Sequence, residues 1–579
     1  LPRQLRDPQG RADLTLRLWG AEPEPRVEGR LVLADGSVMV PLLRQRLGAL
    51  RGRLEFANGE VRCRFGESIR GSDVFVIQSH YGVDEHSVND SIMEHLIMID
   101  AEGRLLAVEF VQYARCGWSM DLSLPVADRA MLHADNAYFI PAIRIESHRL
   151  RTNTQSNTAF RGFGGPQGMV GIERVMDHVA HATGRDPVEL RRAQFYPEMG
   201  SQSPGITPYG MPVEDFILGA LVDRLSDSAD YAGRRKAVAD WNAAHRTLKK
   251  GLALTPVKFG ISFTATHLNQ AGALVHVYKD GSVHLNHGGT EMGQGLYIKV
   301  AQVVADELGI SIERIRSNAA DTSRVPNASA TAASSGSDMN GKAAQQAAAK
   351  IRGRLSAFAA AHFNVAESKI DFANDQVTID GDACTFEELV QLAWFHRVPM
   401  SATGFYKTPK IHYDRASMSG RPFYYFAYGA AVTEVVIDTL TGENRILRAD
   451  ILHDCGQSLN PALDIGQIEG GYVQGAGWLT TEELVWDDKG RLRTHAPSTY
   501  KIPACSDRPD IFNVALWDAP NPAQTIYRSK AVGEPPFMLG ISAFLALSDA
   551  VRACGPHYPD LQAPATAEEV LAAVGRARG

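Results

Sequence analysis

A single carboxylate, Glu534, stands in Ala531-Val532-Gly533-Glu534-Pro535-Pro536, between a glycine and two prolines. Proline fixes the backbone and glycine leaves space beside it, so the carboxylate is presented by a rigid turn. Three further strings are dense in glycine: Phe160-Arg161-Gly162-Phe163-Gly164-Gly165-Pro166-Gln167-Gly168, Gly288-Gly289-Thr290-Glu291-Met292-Gly293-Gln294-Gly295, and the stretch from Gly466 through Gly470-Gly471-Tyr472-Val473-Gln474-Gly475 to Gly477. Taken singly, each reads equally well as turn punctuation. Together, with Gln294 and Gln474 as neutral amide donors, they predict a large anionic cofactor cradled by backbone N–H groups. The first string fails the dinucleotide fingerprint, because Gln167 takes the third glycine's place and Pro166 interrupts the loop. Gly336-Ser337-Asp338-Met339-Asn340-Gly341-Lys342-Ala343 spells a phosphate loop but ends in alanine, without the hydroxyl that binds magnesium, and no strand leads into it.

Cys63, Cys116, Cys384, Cys455, Cys505 and Cys554 form no C-x-x-C pair and no zinc or iron–sulfur cradle. They read as reduced, mostly buried thiols, so a redox metal here must be held by something other than cysteine clusters. The 59 basic and 66 acidic side chains leave a formal charge of −7, which gives no general attraction to nucleic acid or to an anionic membrane. No apolar run reaches the roughly 18–20 residues of a membrane helix, and no secretory signal follows Leu1. The expectation is a cytoplasmic, multi-domain protein.

These loops need a scaffold. Residues 30–40 read as a hairpin about Asp35-Gly36, and Val74-Phe75-Val76-Ile77 as a buried strand. Residues 91–99 read as an amphipathic helix, and 105–111 as a strand. Met169, Ile172, Val175, Met176 and Val179 recur at helical spacing before Gly184, and Asp186-Pro187 opens a second helix as cap and first residue. Residues 225–252 are polar and connect two lobes. Beyond them, hairpins are predicted at Asp280-Gly281 and Gly442, capping boxes at Thr385…Glu388 and Thr566…Glu569, and a long alanine-rich helix near 342–361. Strands and helices mix without a regular alternation, so the class is α+β.

From about Ala101 onward the chain resembles the molybdenum-cofactor subunit of the xanthine dehydrogenase family. The strings that carry the resemblance are Thr158-Ala159-Phe160-Arg161-Gly162-Phe163-Gly164-Gly165-Pro166-Gln167, Gly288 to Gly295, Lys530 to Pro536, Asn269-Gln270-Ala271-Gly272-Ala273-Leu274 and Ser498-Thr499-Tyr500-Lys501-Ile502-Pro503. The resemblance implies an aldehyde oxidase/xanthine dehydrogenase type of fold and a molybdenum–pterin cofactor. It also implies oxidation of hypoxanthine and xanthine to urate with oxygen from water. Electrons would leave through iron–sulfur clusters and FAD on a partner subunit, in a hetero-oligomer. Residue by residue, Glu534 looks like the general base and Arg129 like the arginine that binds the purine oxygen. Phe163 and Phe263 resemble the aromatics that sandwich the heterocycle, with Thr264 as a further substrate contact. Arg161, Gln294, Ala332, Ala333, Ser334 and Gln474 fall where that family contacts the cofactor. The pterin dithiolene, not a side chain, would hold the metal.

The front departs from this family, whose glycine-rich segment with a purine-binding glutamate and an upstream cofactor-contacting glutamine have no counterpart here. Residues 54–101 instead resemble ribose-phosphate pyrophosphokinase, through Phe56-Ala57-Asn58-Gly59-Glu60-Val61, Arg70 to Ser79 and Asn89 to Asp100. Asn58 and Glu60 would be its nucleotide-contacting residues, but its catalytic and ribose-phosphate loops are missing. The expected division is 1–53 unassigned, 54–101 a small α/β fragment, 102–250 an incomplete first cofactor-binding lobe, and 251–579 the second lobe. With Leu at position 1, the subunit is expected to be N-terminally incomplete. Two alternatives remain open at this stage: a chimeric remnant that binds no cofactor, and an aldehyde-oxidising relative.

Overall fold

The computed structural model describes residues 95–579 except 101, 199–204 and 326, and of residues 1–94 only the course of the strands. Eight strands pair in chain order: Arg6–Trp19, Arg26–Val40, Gln45–Ala57, Glu60–Ile69, Ser72–Val83, Ser91–Ile99, Leu105–Gly117 and Ala142–Arg151. The last pair is parallel, its return made through the helix Ser123–Met131. The hairpin expected about Asp35-Gly36 is absent, because Arg26–Val40 is one strand whose register shifts on either side of Gly36. A glycine inside a strand relieves such a bulge as readily as it makes a turn.

Residues 91–99 form a strand, not the expected helix. Leu96, Ile97, Met98 and Ile99 are all buried, so the run is apolar on both faces, and periodicity alone does not separate a short apolar run of this kind in a strand from one in a buried helix. The strand pairs antiparallel with Leu105–Gly117, and Ile97 and Ile99 share a core with Leu105, Val108 and Phe110. The sheet therefore runs straight through the segment where the two sequence resemblances meet. Asn58 and the stretch Glu22 to Pro25 lie outside the described residues, and Glu60 opens a strand.

The helices Gly165–Thr183 and Pro187–Ala193 lie where the sequence puts them. Gly184 closes the first with φ +67°, and the Asp186 carboxylate caps the second by accepting from the Val188 and Glu189 amides. The Thr385…Glu388 box is reciprocal. At Thr566 only the hydroxyl caps, since the Glu569 carboxylate turns to the Gln562 amide and to Arg576.

Two further sheets complete the scaffold. The strands Leu248–Ile261, Tyr425–Asp438, Asn444–His453 and Ile511–Leu516 make a four-stranded sheet. Its central strand is buried on both faces: Phe426, Tyr428, Ala430 and Val432 face the first lobe, and Tyr425, Ala427, Ala431 and Val435 face the helices Ile541–Arg552 and Pro461–Thr480. This is the period-two alternation of a strand serving two cores at once. A second four-stranded sheet, containing Gln270–Val277 and Ser401–Lys407, is covered by the helices Leu296–Leu308 and Gly336–Phe363. Among the described residues, no helix is long and apolar enough to cross a membrane. Cys116 and Cys455 are buried free thiols, Cys384 and Cys554 half-buried and Cys505 exposed, so burial is less general than expected.

Candidate active site

The Glu534 turn is anchored from its N-terminal side by Lys530. That ammonium is buried, 2.7 Å from Asp454 Oδ2, 3.1 Å from Asp215 Oδ2 and 3.0 Å from the Phe426 carbonyl. Burial alone would lower the Lys530 pKa, but Asp454 and Asp215 outweigh it and hold the group charged. Past the turn, Pro535–Gly540 is a short 3-10 helix.

Glu534 itself reaches two distant loops. Its Oε2 accepts the Ser334 hydroxyl at 2.8 Å, its Oε1 accepts the Gly162 amide at 3.2 Å, and its own amide donates to Ser334 Oγ at 2.8 Å. Both donors come from strained backbone. Gly162, Phe163 and Gly164 are successively left-handed, with φ of +95°, +50° and +97°. Ala333 and Ser334 are a second left-handed run, each at φ +57°. Non-glycine residues at positive φ cost on the order of 1–3 kcal/mol each and persist only where the surroundings over-determine them. A Cβ on Gly533 would lie 2.9 Å from Ser334 Oγ, so glycine is what lets the two loops close.

Arg161 ties a third element to this turn. Its Nε donates to the Gly533 carbonyl at 2.6 Å, its Nη1 to Gln474 Oε1 at 3.0 Å and its Nη2 to the Gln467 carbonyl at 3.4 Å. Burial lowers the Arg161 pKa while the charge of Glu534 raises it. Gln467 and Gln474 lie seven residues apart on the helix Pro461–Thr480, hence on one face. This corrects the reading of residues 466–477 as a cofactor loop, because they are helix interior. A Cβ on Gly475 would sit 1.9 Å from the Phe537 carbonyl, and one on Gly471 2.6 Å from Pro536 Cβ. Those glycines exist for close packing against the segment that follows Glu534. Gln467 was not singled out from the sequence; its spacing from Gln474 was the available signal.

The loop 288–295 is bound to the loop 331–334 by the Thr290 amide, which donates to Thr331 Oγ1 at 2.8 Å. Glu291 folds back on its own loop and accepts from Gly293 N, Gly295 N and Tyr297 N at 2.9, 3.0 and 3.1 Å. Burial works to raise its pKa, but these backbone donors prevail and hold it low. The N-terminus of the helix Leu296–Leu308 is thus capped by the protein's own carboxylate. Gln294 Nε2 donates to the Thr290 carbonyl at 2.8 Å, and its Oε1 accepts the Met292 amide.

Arg129 is buried on the helix Ser123–Met131, with 2% of its surface exposed. Its guanidinium donates to the Ser262 carbonyl at 2.9 Å and the Gly260 carbonyl at 2.5 Å, and lies over the Phe259 and Phe423 rings. Burial lowers its pKa and the charge of Glu534 opposes that fall. The carbonyls it holds begin the segment carrying Phe263 and Thr264, both half-buried. Asn269 fixes Phe263 from both sides, accepting its amide and donating to its carbonyl at 2.9 Å each. Ala332 lies in the turn before Ala333, and the Ser335 hydroxyl reaches its carbonyl. The structure therefore brings Glu534, Arg161, Ser334 and Gln474 into one hydrogen-bonded cluster, while Arg129 holds the carbonyls of Gly260 and Ser262, which lead directly into Phe263 and Thr264. Among the described residues, no group of three or more His, Cys, Asp or Glu side chains is disposed to hold a metal ion.

Known proteins match in three ways. Residues 86–195 and 224–509 match two models described as molybdopterin cofactor-binding domains. Residues 45–111 match the N-terminal domain of ribose phosphate pyrophosphokinase, so the two kinds of match overlap on the strands either side of residue 101. Xanthine dehydrogenase of Oryza sativa subsp. japonica is 44% identical over 481 residues, 81% of this chain and 33% of that protein. Xanthine dehydrogenase/oxidase of Felis catus is 44% identical over 477 residues, 81% of this chain and 34% of that protein. The chain thus spans about a third of the length of these curated relatives. In fold it is similar to quinoline 2-oxidoreductase from Pseudomonas putida 86, with TM-score 0.72 and 23% identity over 84% of this chain and 62% of that one. It is also similar to the aldehyde oxidoreductase from Desulfovibrio gigas, with TM-score 0.68 and 24% identity over 84% and 49%. With two cofactor-domain models matched in order over more than half of its length, this chain belongs to the molybdopterin cofactor-binding family, as a homologue of the xanthine dehydrogenases.

Proposed function

We propose that the chain is the molybdenum-cofactor part of a hydroxylase that oxidises hypoxanthine and xanthine to urate. In each turnover a ring C–H and one water give C–OH, two protons and two electrons. When bound, the molybdenum–pterin cofactor supplies the two-electron acceptor. Iron–sulfur and FAD centres on a partner subunit would receive those electrons.

The donor set fits an anionic, polar cofactor. Arg161 and the Gln467 and Gln474 amides gather beside the Gly533 carbonyl, and two successive left-handed residues, Ala333 and Ser334, open the backbone next to them. The nearby carboxylates do not compete: Glu291 is committed to its own loop, and Glu534 to Gly162 and Ser334. On this reading Arg161, Gln474, Gln294 and residues 332–334 hold the cofactor. Glu534 takes the proton of the attacking water, with Ser334 and Gly162 fixing its two oxygens. Arg129 selects a heterocycle that carries an oxygen and offsets the charge it develops. Phe163 and Phe263 bracket the ring, beside Thr264. The same reading divides the chain at residues 101/102 and 250/251.

The observation that carries this reading is the Glu534 carboxylate, aimed by two loops that are themselves held in left-handed backbone. The test is Glu534→Gln in the full chain with its partner subunit, assayed on xanthine with molybdenum measured in parallel. A positioned base contributes roughly 100- to 10,000-fold, so a loss of that size with unchanged molybdenum content is expected. Full turnover by the variant would overturn the base assignment. Absence of molybdenum from the wild-type protein would overturn the reading as a whole, and turnover of aromatic aldehydes in place of xanthine would overturn its substrate.

A further inference from the structure

Resting on that reading, we propose that Asp338 and Tyr425 are positioning residues for Glu534: the Tyr425 hydroxyl, oriented by the Asp338 carboxylate, grips the backbone from which the Glu534 turn springs. Tyr425 opens the central strand Tyr425–Asp438, and Asp338 lies in the first turn of the helix Gly336–Phe363, four residues beyond Ser334. The hydroxyl donates to Asp338 Oδ2 at 2.7 Å and accepts the Ala531 amide at 3.0 Å. Ala531 is three residues before Glu534, with Lys530 locked between Asp454 and Asp215 on its other side. The helix start and the turn are therefore joined twice, by Ser334 to Glu534 and by Asp338 through Tyr425 to Ala531. Between them these contacts fix both ends of a four-residue segment whose tip is the carboxylate.

The side-chain hydrogen bonds of the pair run to one another and to Ala531, so their effect on chemistry passes through the turn. The pair is also sensitive to protons. Burial raises the Asp338 pKa to about 7, against the Tyr425 hydrogen bond and the charges of Lys342 and Lys299, all of which lower it. Tyr406 and Tyr424 are the other titratable groups that face it, and Asp338 raises the pKa of each. Above about pH 7 the carboxylate is ionised and Tyr425 donates to a full charge. Below it the acceptor is neutral, the hydroxyl is held more weakly, and the Ala531 grip loosens.

The experiment compares wild type, Tyr425→Phe and Asp338→Asn as the full chain with its partner subunit. It reads molybdenum content, kcat and KM on xanthine from pH 5.5 to 9, and amide exchange of the 525–540 peptide by mass spectrometry. Tyr425→Phe is expected to exchange at least about tenfold faster in that peptide. Its kcat should fall by about 10- to 100-fold, the cost of misplacing a reacting group by about an ångström, with KM and molybdenum unchanged. Asp338→Asn keeps an oxygen acceptor for the hydroxyl, so it should retain kcat within a few-fold at pH 8 and lose the inflection near pH 7. Unchanged exchange and kcat in Tyr425→Phe overturn the proposal, as does an unaltered pH profile in Asp338→Asn, which serves alone if the phenylalanine variant does not fold. Faster exchange in Tyr425→Phe, in a protein whose wild type turns over no purine, upholds the pair as a positioning device and overturns the hydroxylase reading instead.

Discussion

Glu534 and Ser334 hold one another through two hydrogen bonds, so removing the hydroxyl leaves the carboxylate held only by the Gly162 amide and strands the Glu534 amide. Ser334→Ala should therefore lower kcat by about tenfold, the equivalent of one buried hydrogen bond of about 1–1.5 kcal/mol, with KM little changed in steady-state assays on xanthine. Arg161→Lys should act on binding instead. A single ammonium cannot serve the Gly533 carbonyl, Gln474 and Gln467 at once as the guanidinium fork does. The expected outcome is a fall in molybdenum per chain, measured by elemental analysis. At this scale the sequence was informative about Glu534, because a glycine and two prolines fix its presentation locally. It was silent about the partner of that carboxylate, because Ser334 lies 200 residues away.

At the scale of elements, two glycines that look alike in the sequence differ in what they permit. Gly164 is left-handed and a Cβ there would lie 2.0 Å from the Val126 carbonyl, whereas Gly184, also left-handed, has nothing within 4 Å. Gly184→Ala should cost only the conformational penalty, about 1–2 kcal/mol. Gly164→Ala must also displace the helix Ser123–Met131 that carries Arg129, and a visibly larger drop in melting temperature is expected. Differential scanning calorimetry of the two variants makes the comparison, and equal drops would refute the packing argument. The helix Pro461–Thr480 teaches the converse lesson. Its glycines read as a loop, since a glycine string has the same composition whether it turns or lets two backbones touch. What distinguishes the cases is the Phe537 carbonyl lying against Gly475, and that contact is made by residues more than sixty positions downstream.

For the whole molecule, buried histidines contribute to the response to acid. Burial lowers His287 to about pKa 4 and His453 to about 3, and His133 also falls well below its ordinary value. Each is neutral in the fold and binds a proton more readily when unfolded. Their contribution is complete above about pH 6.5 and is lost as pH falls toward 4 and 3. Asp338 runs the other way, its raised pKa adding stability as pH falls from about 7 toward the ordinary carboxylate range. Burial raises Asp135, Asp177, Asp454, Glu307, Glu482 and Glu569 in the same direction, so the histidine contribution is read by difference. In thermal unfolding scans from pH 6.5 to 4.5, His453→Gln should lose less melting temperature than wild type, with a flatter slope. A drop of the same steepness in the variant would remove His453 from the account.

The sequence by itself determined the elements whose signals are local. The capped helices at Asp186 and Thr385, the Asp280-Gly281 hairpin and the rigid turn at Glu534 each depend on residues within a few positions of one another. Family-specific strings also point to the cofactor class, and four of the five lie within the residues that match the molybdopterin domain models, the Lys530–Pro536 string lying beyond them. Tertiary structure alone decided the rest. It made a strand of residues 91–99 and paired it across the junction at 101, because burial on both faces outweighs local preference. It turned one glycine string into a packed helix and gave Glu534 its partners at Gly162 and Ser334. Those outcomes depend on which distant surfaces meet, and local spacing carries no information about that meeting.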